Sequence, residues 1–167
     1  MLAYTVLIAA VAVERVAELV VSQRNLAWSR ERGGVEFGAR HYPMMVVLHT
    51  ALLAGCLWEA AHRPFIPLLG WSMLGVVIAA QVLRWWCITT LGHQWNTRVV
   101  IVPDAGRVSG GPYLFFAHPN YVAVVVEGIA LPLVHTAWLT AVVFTVLNAA
   151  LLRTRISVEN KALAMLT

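Results

Sequence analysis

The chain has 167 residues, of which 60% are hydrophobic and only 12% charged, with a net charge of +4. Soluble domains carry roughly 45–50% apolar and about 25% charged residues, so this balance excludes an ordinary soluble globular protein and leaves lipid as the partner for the surplus apolar surface. The length fits one membrane-embedded unit, residues 1–167, without a second domain of normal size. The first hydrophobic run, residues 2–21, is long enough for a span of about 30 Å. It has no basic flank and no A-x-A cleavage pattern, so it is expected to remain as a helix rather than be removed as a signal peptide. Glu14, Arg15 and Glu18 lie inside it. They read either as a neutralised group packed against other helices or as the lining of a ligand cavity.

A polar stretch over residues 22–42 follows, with Arg24, Arg30, Arg32, Arg40 and the break Gly33-Gly34. The second span is expected at about 43–61, with Pro43 tolerated in its first turn, and the third at about 67–88. Residues 89–118 are rich in glycine and proline and read as an ordered loop. The last apolar stretch is broken near Pro132 and His135, giving a short hairpin with spans at about 119–135 and 137–153. The predicted fold is therefore an all-α integral membrane protein with five transmembrane helices. Drawn this way, the loop and tail cations fall on one side, apart from Arg63. The positive-inside rule then puts the N-terminus outside and both long loops and the C-terminus in the cytoplasm of a multi-pass membrane protein. Cys56 and Cys87 sit in apolar runs and read as small core residues. The six histidines lack metal-ligand spacing, so no metal site is expected.

Two polar phrases flank the last hairpin. The first reads S-G-G-P-Y-L-F-F-A-H-P-N-Y over residues 109–121, and the second is R-T-R-I-S-V-E-N over 153–160. Gly110, Gly111 and Pro112 permit a sharp turn and a close backbone approach. Pro119 opens a helix whose N-terminus suits an anionic group. Tyr121 lies in that helix's first turn. Arg155 and Glu159, at i and i+4, share one face and offer a guanidinium fork and a carboxylate. The plainer reading is an interfacial aromatic belt followed by a solvated ion pair. No nucleotide-binding glycine motif, Walker sequence, H-E-x-x-H or G-x-S-x-G is present.

Taken together, Val108, Gly111, Tyr113, His118, Pro119 and Tyr121, with Arg155 and Glu159 downstream, resemble the isoprenylcysteine carboxyl methyltransferase family over roughly residues 80–165. The resemblance implies a membrane enzyme that uses S-adenosylmethionine and yields S-adenosylhomocysteine. Carried over by position, it assigns cofactor contacts to Val108, Tyr113, His118, Pro119, Asn120, Tyr121 and Glu159, and sets Arg155 toward the reacting oxygen of the substrate. Two positions depart from the family pattern: Ala117 stands where an arginine is usual, and Asn160 where a second glutamate is frequent. The segments at Glu18–Asn25 and Gly34–Pro43 resemble short bacterial members, some of which accompany type III polyketide synthases. That likeness implies a lipophilic hydroxyl acceptor such as a phenolic lipid or alkylpyrone. The alternatives are an isoprenylcysteine carboxylate, a phospholipid amine or a non-catalytic scaffold role. A phenol or enol acceptor needs a proton acceptor, for which His41, Glu36 and Glu127 are candidates, with His118 less free. The expected partners are a lipophilic small molecule and the bilayer, with no nucleic acid.

Overall fold

The computed structural model describes residues 1–164; the last three residues of the expected unit, 165–167, lie outside the described residues. Helices α1 (Leu2–Glu31), α2 (Tyr42–Ala60), α3 (Pro67–Leu91), α4 (Pro119–Leu133) and α5 (Trp138–Leu163) make up most of the chain. Three helical segments, Ala39–Ala60, Pro67–Gln94 and Trp138–Leu163, are long and apolar enough to cross a membrane. With their exposed valines, leucines and tryptophans they make this a membrane protein. Of the five expected spans, α1 differs by its charges, and α4, at 15 residues, by its length.

Prolines mark where three of these helices begin, because a missing N–H costs nothing in a first turn: Pro43 in α2, Pro67 in α3 and Pro119 in α4. Helix α1 runs ten residues beyond the expected 21, since nothing from Val21 to Glu31 breaks a helix before Gly33, whose φ is +73°. Its polar last third is put to use there. Ser22 bonds the side chains of Asn96 and Thr97 at 2.8 and 2.7 Å, and the Asn25 amide donates to the carbonyls of Trp95 and Gly92. Helix α5 likewise continues through the second polar phrase, and its start is capped from α2. Buried Glu59 accepts from the backbone amides of Leu139 and Thr140 at 3.1 and 2.8 Å, which satisfies donors that a helix N-terminus leaves open.

Two short strands were not anticipated. β1 (Val35–Phe37) pairs antiparallel with β2 (Val99–Ile101), in the register Val35↔Ile101 and Phe37↔Val99. Glu36 and Arg98 close the ribbon with an ion pair at 2.7 Å.

The apolar core gathers Tyr4, Ile8, Leu52, Cys56, Val77, Leu131 and Phe144 from all five helices. Both cysteines are free and buried. The charges of α1 turn inward. Arg15 binds Glu18 at 2.7 Å and both oxygens of Glu127 at 2.9 Å, while Arg84 grips Glu18 through Nε and Nη2. Arg84, inside the third expected span, is thus an interior residue of α3, and the ionic cluster leaves the outer face of α1 to Val6, Val13, Val16 and Val20.

Candidate active site

The first polar phrase folds onto the C-terminal ends of α3 and α5. Gly111 has φ +57° and lies so close to Thr90 and Trp86 that a Cβ there would collide with them, so the turn requires glycine on both counts. The short helical turn Gly111–Leu114 then delivers Tyr113, and His118 caps α4, whose first turn closes on the His118 carbonyl through the amides of Tyr121 and Val122.

Two cavities meet at this end of the bundle. A polar one of about 100 Å³ is lined by Tyr113, His118, Asn120, Tyr121, Arg155 and Glu159, closed on the far side by β2 and residues 94–98. A larger one of about 150 Å³, mostly apolar, runs between α1, α2, α4 and α5 past Leu19, Leu53, Val124 and Leu151. Trp95, Asn96, Asn120, Tyr121 and Arg155 line both and so form a shared wall.

On that wall a chain of polar contacts links the two phrases. The Arg155 guanidinium donates through Nε to the Tyr121 hydroxyl at 3.0 Å, through Nη1 to Met45 Sδ at 2.6 Å, and through Nη2 to the Thr97 carbonyl. The Tyr121 hydroxyl donates in turn to Glu159. His118 Nδ1 lies 3.7 Å from the Glu159 carboxylate, its Nε2 is 3.1 Å from Asn160 Oδ1, and its ring stacks on Tyr121 at 5.4 Å. Asn160, one of the two departures from the family pattern, thus has a partner in His118, whereas Ala117, the other, is exposed.

The facing Glu159 carboxylate raises the His118 pKa above its ordinary value, with burial and Arg107 opposing. A pKa raised by folding contributes stability that is full below the unfolded value and disappears as pH rises through the folded one. The destabilisation caused by His118→Gln should therefore shrink as pH climbs from about 5.5 to about 8.5. Thermal unfolding of both proteins across that range checks this; an effect independent of pH would show that the imidazolium is not held by Glu159. Burial also pushes the Tyr113 phenol up, so its hydroxyl stays protonated.

The other candidates lie elsewhere. Val108 is half-buried in the loop and Pro119 buried at the start of α4; neither lines the polar cavity. Glu127 borders a small recess behind the apolar cavity, with both oxygens held by Arg15. His41 sets Nδ1 3.1 Å from the Gly38 carbonyl and, with Glu36, lines a recess beside Arg155 and Val158. Sequence reasoning missed Trp95, Asn96 and His49. His49 lines the apolar cavity, with Nδ1 2.9 Å from the Met45 carbonyl. That carbonyl can only accept, so Nδ1 carries a hydrogen, and in the neutral ring Nε2 presents a lone pair. The only sequence signal for His49 is a lone histidine in an apolar span, one turn after Met45, which the sequence does not mark as a site residue either.

Two proteins of similar sequence are bacterial. The chain is 35% identical over 161 residues to the uncharacterized protein YpbQ of Bacillus subtilis, covering 96% of each chain. It is 24% identical over 155 residues to an uncharacterized protein of Haemophilus influenzae, covering 91% of this chain and 90% of the relative. Residues 73–165, more than half the chain and inclusive of both polar phrases, match the model of the isoprenylcysteine carboxyl methyltransferase (ICMT) family.

Proposed function

The chain belongs to the isoprenylcysteine carboxyl methyltransferase family, a family of membrane methyltransferases, and from that premise we propose that it is an S-adenosylmethionine-dependent O-methyltransferase for a lipophilic acceptor dissolved in the membrane, such as a phenolic lipid or alkylpyrone. One observation carries the reading: a polar cavity lined by the family motif and an apolar cavity between the helices share a wall that bears Arg155. A water-soluble methyl donor and a greasy acceptor need such adjoining compartments.

The residues of the polar cavity fit the cofactor. Glu159 offers a carboxylate, while Trp95 Nε1 and Asn120 Oδ1 are buried without partners among the described residues and suit a ligand that both donates and accepts. Tyr113, His118, Asn120, Tyr121 and Glu159 would hold it, with Val108 and Pro119 shaping the loop and helix start around it. S-adenosylmethionine, when bound, supplies a methyl group whose bond to the positively charged sulfur breaks as the bond to the acceptor oxygen forms. The chain's task is alignment and exclusion of water. Arg155, fixed by Tyr121, Met45 and Thr97, holds the acceptor oxygen at the shared wall. His49 takes the hydroxyl proton on Nε2. We assign Glu127 to anchoring Arg15 and His41 to the α2 entry turn. The five-span topology, with this end of the bundle cytoplasmic, accords with the gathering of Arg30, Arg98, Arg107 and Arg155 around the β1–β2 ribbon and the site.

Calorimetry on the full chain in nanodiscs tests the cofactor; absence of S-adenosylmethionine binding would overturn the proposal. Methyl transfer is then compared for a long-chain 4-alkylphenol, a prenylated cysteine and phosphatidylethanolamine. The phenol is the expected substrate, and transfer to the amine alone would make this an N-methyltransferase.

A further inference from the structure

The shared wall accounts for one end of the apolar cavity, but its inner end is also polar. Arg84 lines it from α3 and is only 7% exposed; Nε and Nη2 are held by Glu18, yet Nη1 is buried with no partner among the described residues. Asn148 lines the same cavity from α5, is 2% exposed, and its side-chain amide makes no hydrogen bond among the described residues. Asn148 precedes Arg155 by seven residues, two helical turns or about 10 Å along α5, so both project from one face of that helix at different depths. A buried, unpaired guanidinium nitrogen and an unpaired amide beside it on the wall of a mostly apolar cavity are costly unless a ligand meets them.

We propose that Arg84 and Asn148 form a second subsite of the acceptor cavity. The subsite takes a neutral hydrogen-bond-accepting oxygen, a carbonyl above all, carried by the acceptor one to two helical turns deeper than its reacting oxygen. The charge balance selects neutrality. Two guanidiniums, Arg15 and Arg84, are outnumbered by three carboxylates, Glu14, Glu18 and Glu127, in one contact network. A further anion would meet net repulsion, whereas a carbonyl accepts from Arg84 Nη1 and the Asn148 amide without adding charge. The acceptor would therefore be a bifunctional lipid, with a methylatable hydroxyl at the shared wall and an uncharged oxygen function farther along.

The inference rests on the proposed methyl transfer, and its test separates the two. Three acceptors of equal chain length are compared with the full chain in nanodiscs: a 4-alkylphenol, the same phenol with a keto group at the second chain carbon, and one with a carboxylate there. The expected result is a kcat/KM for the ketone about tenfold above that of the plain phenol, the worth of one well-made hydrogen bond, and a carboxylate below both. In Asn148→Leu and Arg84→Met the ketone-to-phenol ratio falls toward one. Cofactor affinity, measured alongside, reports that each variant is folded, and Asn148→Leu suffices if Arg84→Met does not assemble. Equal rates for ketone and phenol, or a ratio unchanged in both variants, overturn the subsite while leaving the methyltransferase reading intact. Methylation of none of the three overturns that reading.

Discussion

Arg155→Lys is expected to lower kcat at saturating cofactor by about a hundredfold, the scale of loss seen when a reacting group is misplaced by about an ångström. The charge is kept, so the loss would report geometry. The guanidinium reaches Tyr121, Met45 and Thr97 at once, from three different elements, and only a planar fork has donors in those directions. An ammonium satisfies one of them and leaves the others to rearrange. Because Tyr121 and Glu159 remain bonded to each other in the variant, S-adenosylmethionine affinity should change by only a few-fold. Single-turnover kinetics with labelled cofactor, together with calorimetry, separate the two quantities. Near-normal turnover in the lysine variant would remove Arg155 from the acceptor's surroundings and make it a brace between helices. A loss that falls wholly on cofactor affinity would move it into the cofactor site.

The helices other than α1 were legible because their signals are local. Pro43, Pro67 and Pro119 mark first turns, and the predicted starts lie within a residue or two of Tyr42, Pro67, Pro119 and Trp138. Of the motif residues, Tyr113, His118, Asn120, Tyr121, Arg155 and Glu159, far apart in the chain, line one cavity. What escaped was long-range. β1 and β2 are three residues each and lie some sixty residues apart, so neither has a period long enough to read, and their pairing depends on Arg98 finding Glu36. Ser22 and Asn25 looked like the polar edge of a loop because their partners, Trp95, Asn96 and Thr97, belong to a segment with no periodicity. His49 and Asn148 are isolated polar residues in apolar helices. Which way such a residue faces is decided by packing, although their spacing from Met45 and Arg155 places them on the site's face of α2 and α5.

The same packing gives Glu18 a weight that its position in an apolar helix does not suggest. Its carboxylate is 2% exposed and accepts from Arg15 and from both Nε and Nη2 of Arg84. In Glu18→Ala, Arg15 still has Glu127, but Arg84 keeps its charge with no carboxylate in hydrogen-bonding contact among the described residues. Removing one partner of a buried pair costs about 3–5 kcal/mol, and apolar helices offer little water in compensation. Glu31→Ala is the natural control. Its ion pair with Arg32 is largely solvated, and such pairs are worth about 0–1 kcal/mol. Denaturation in detergent should thus place Glu18→Ala far below Glu31→Ala in stability. The double variant Glu18→Leu/Arg84→Met should regain much of the loss, because it removes the stranded charge along with its partner. Equal stability of the two single variants would mean that water reaches Arg84, and a double variant no better than Glu18→Ala would mean that the loss comes from packing. The expected pattern would identify the network as what lets α1, with Glu14, Arg15 and Glu18 inside its apolar stretch, pack along the apolar helices and hold the cavity wall in place.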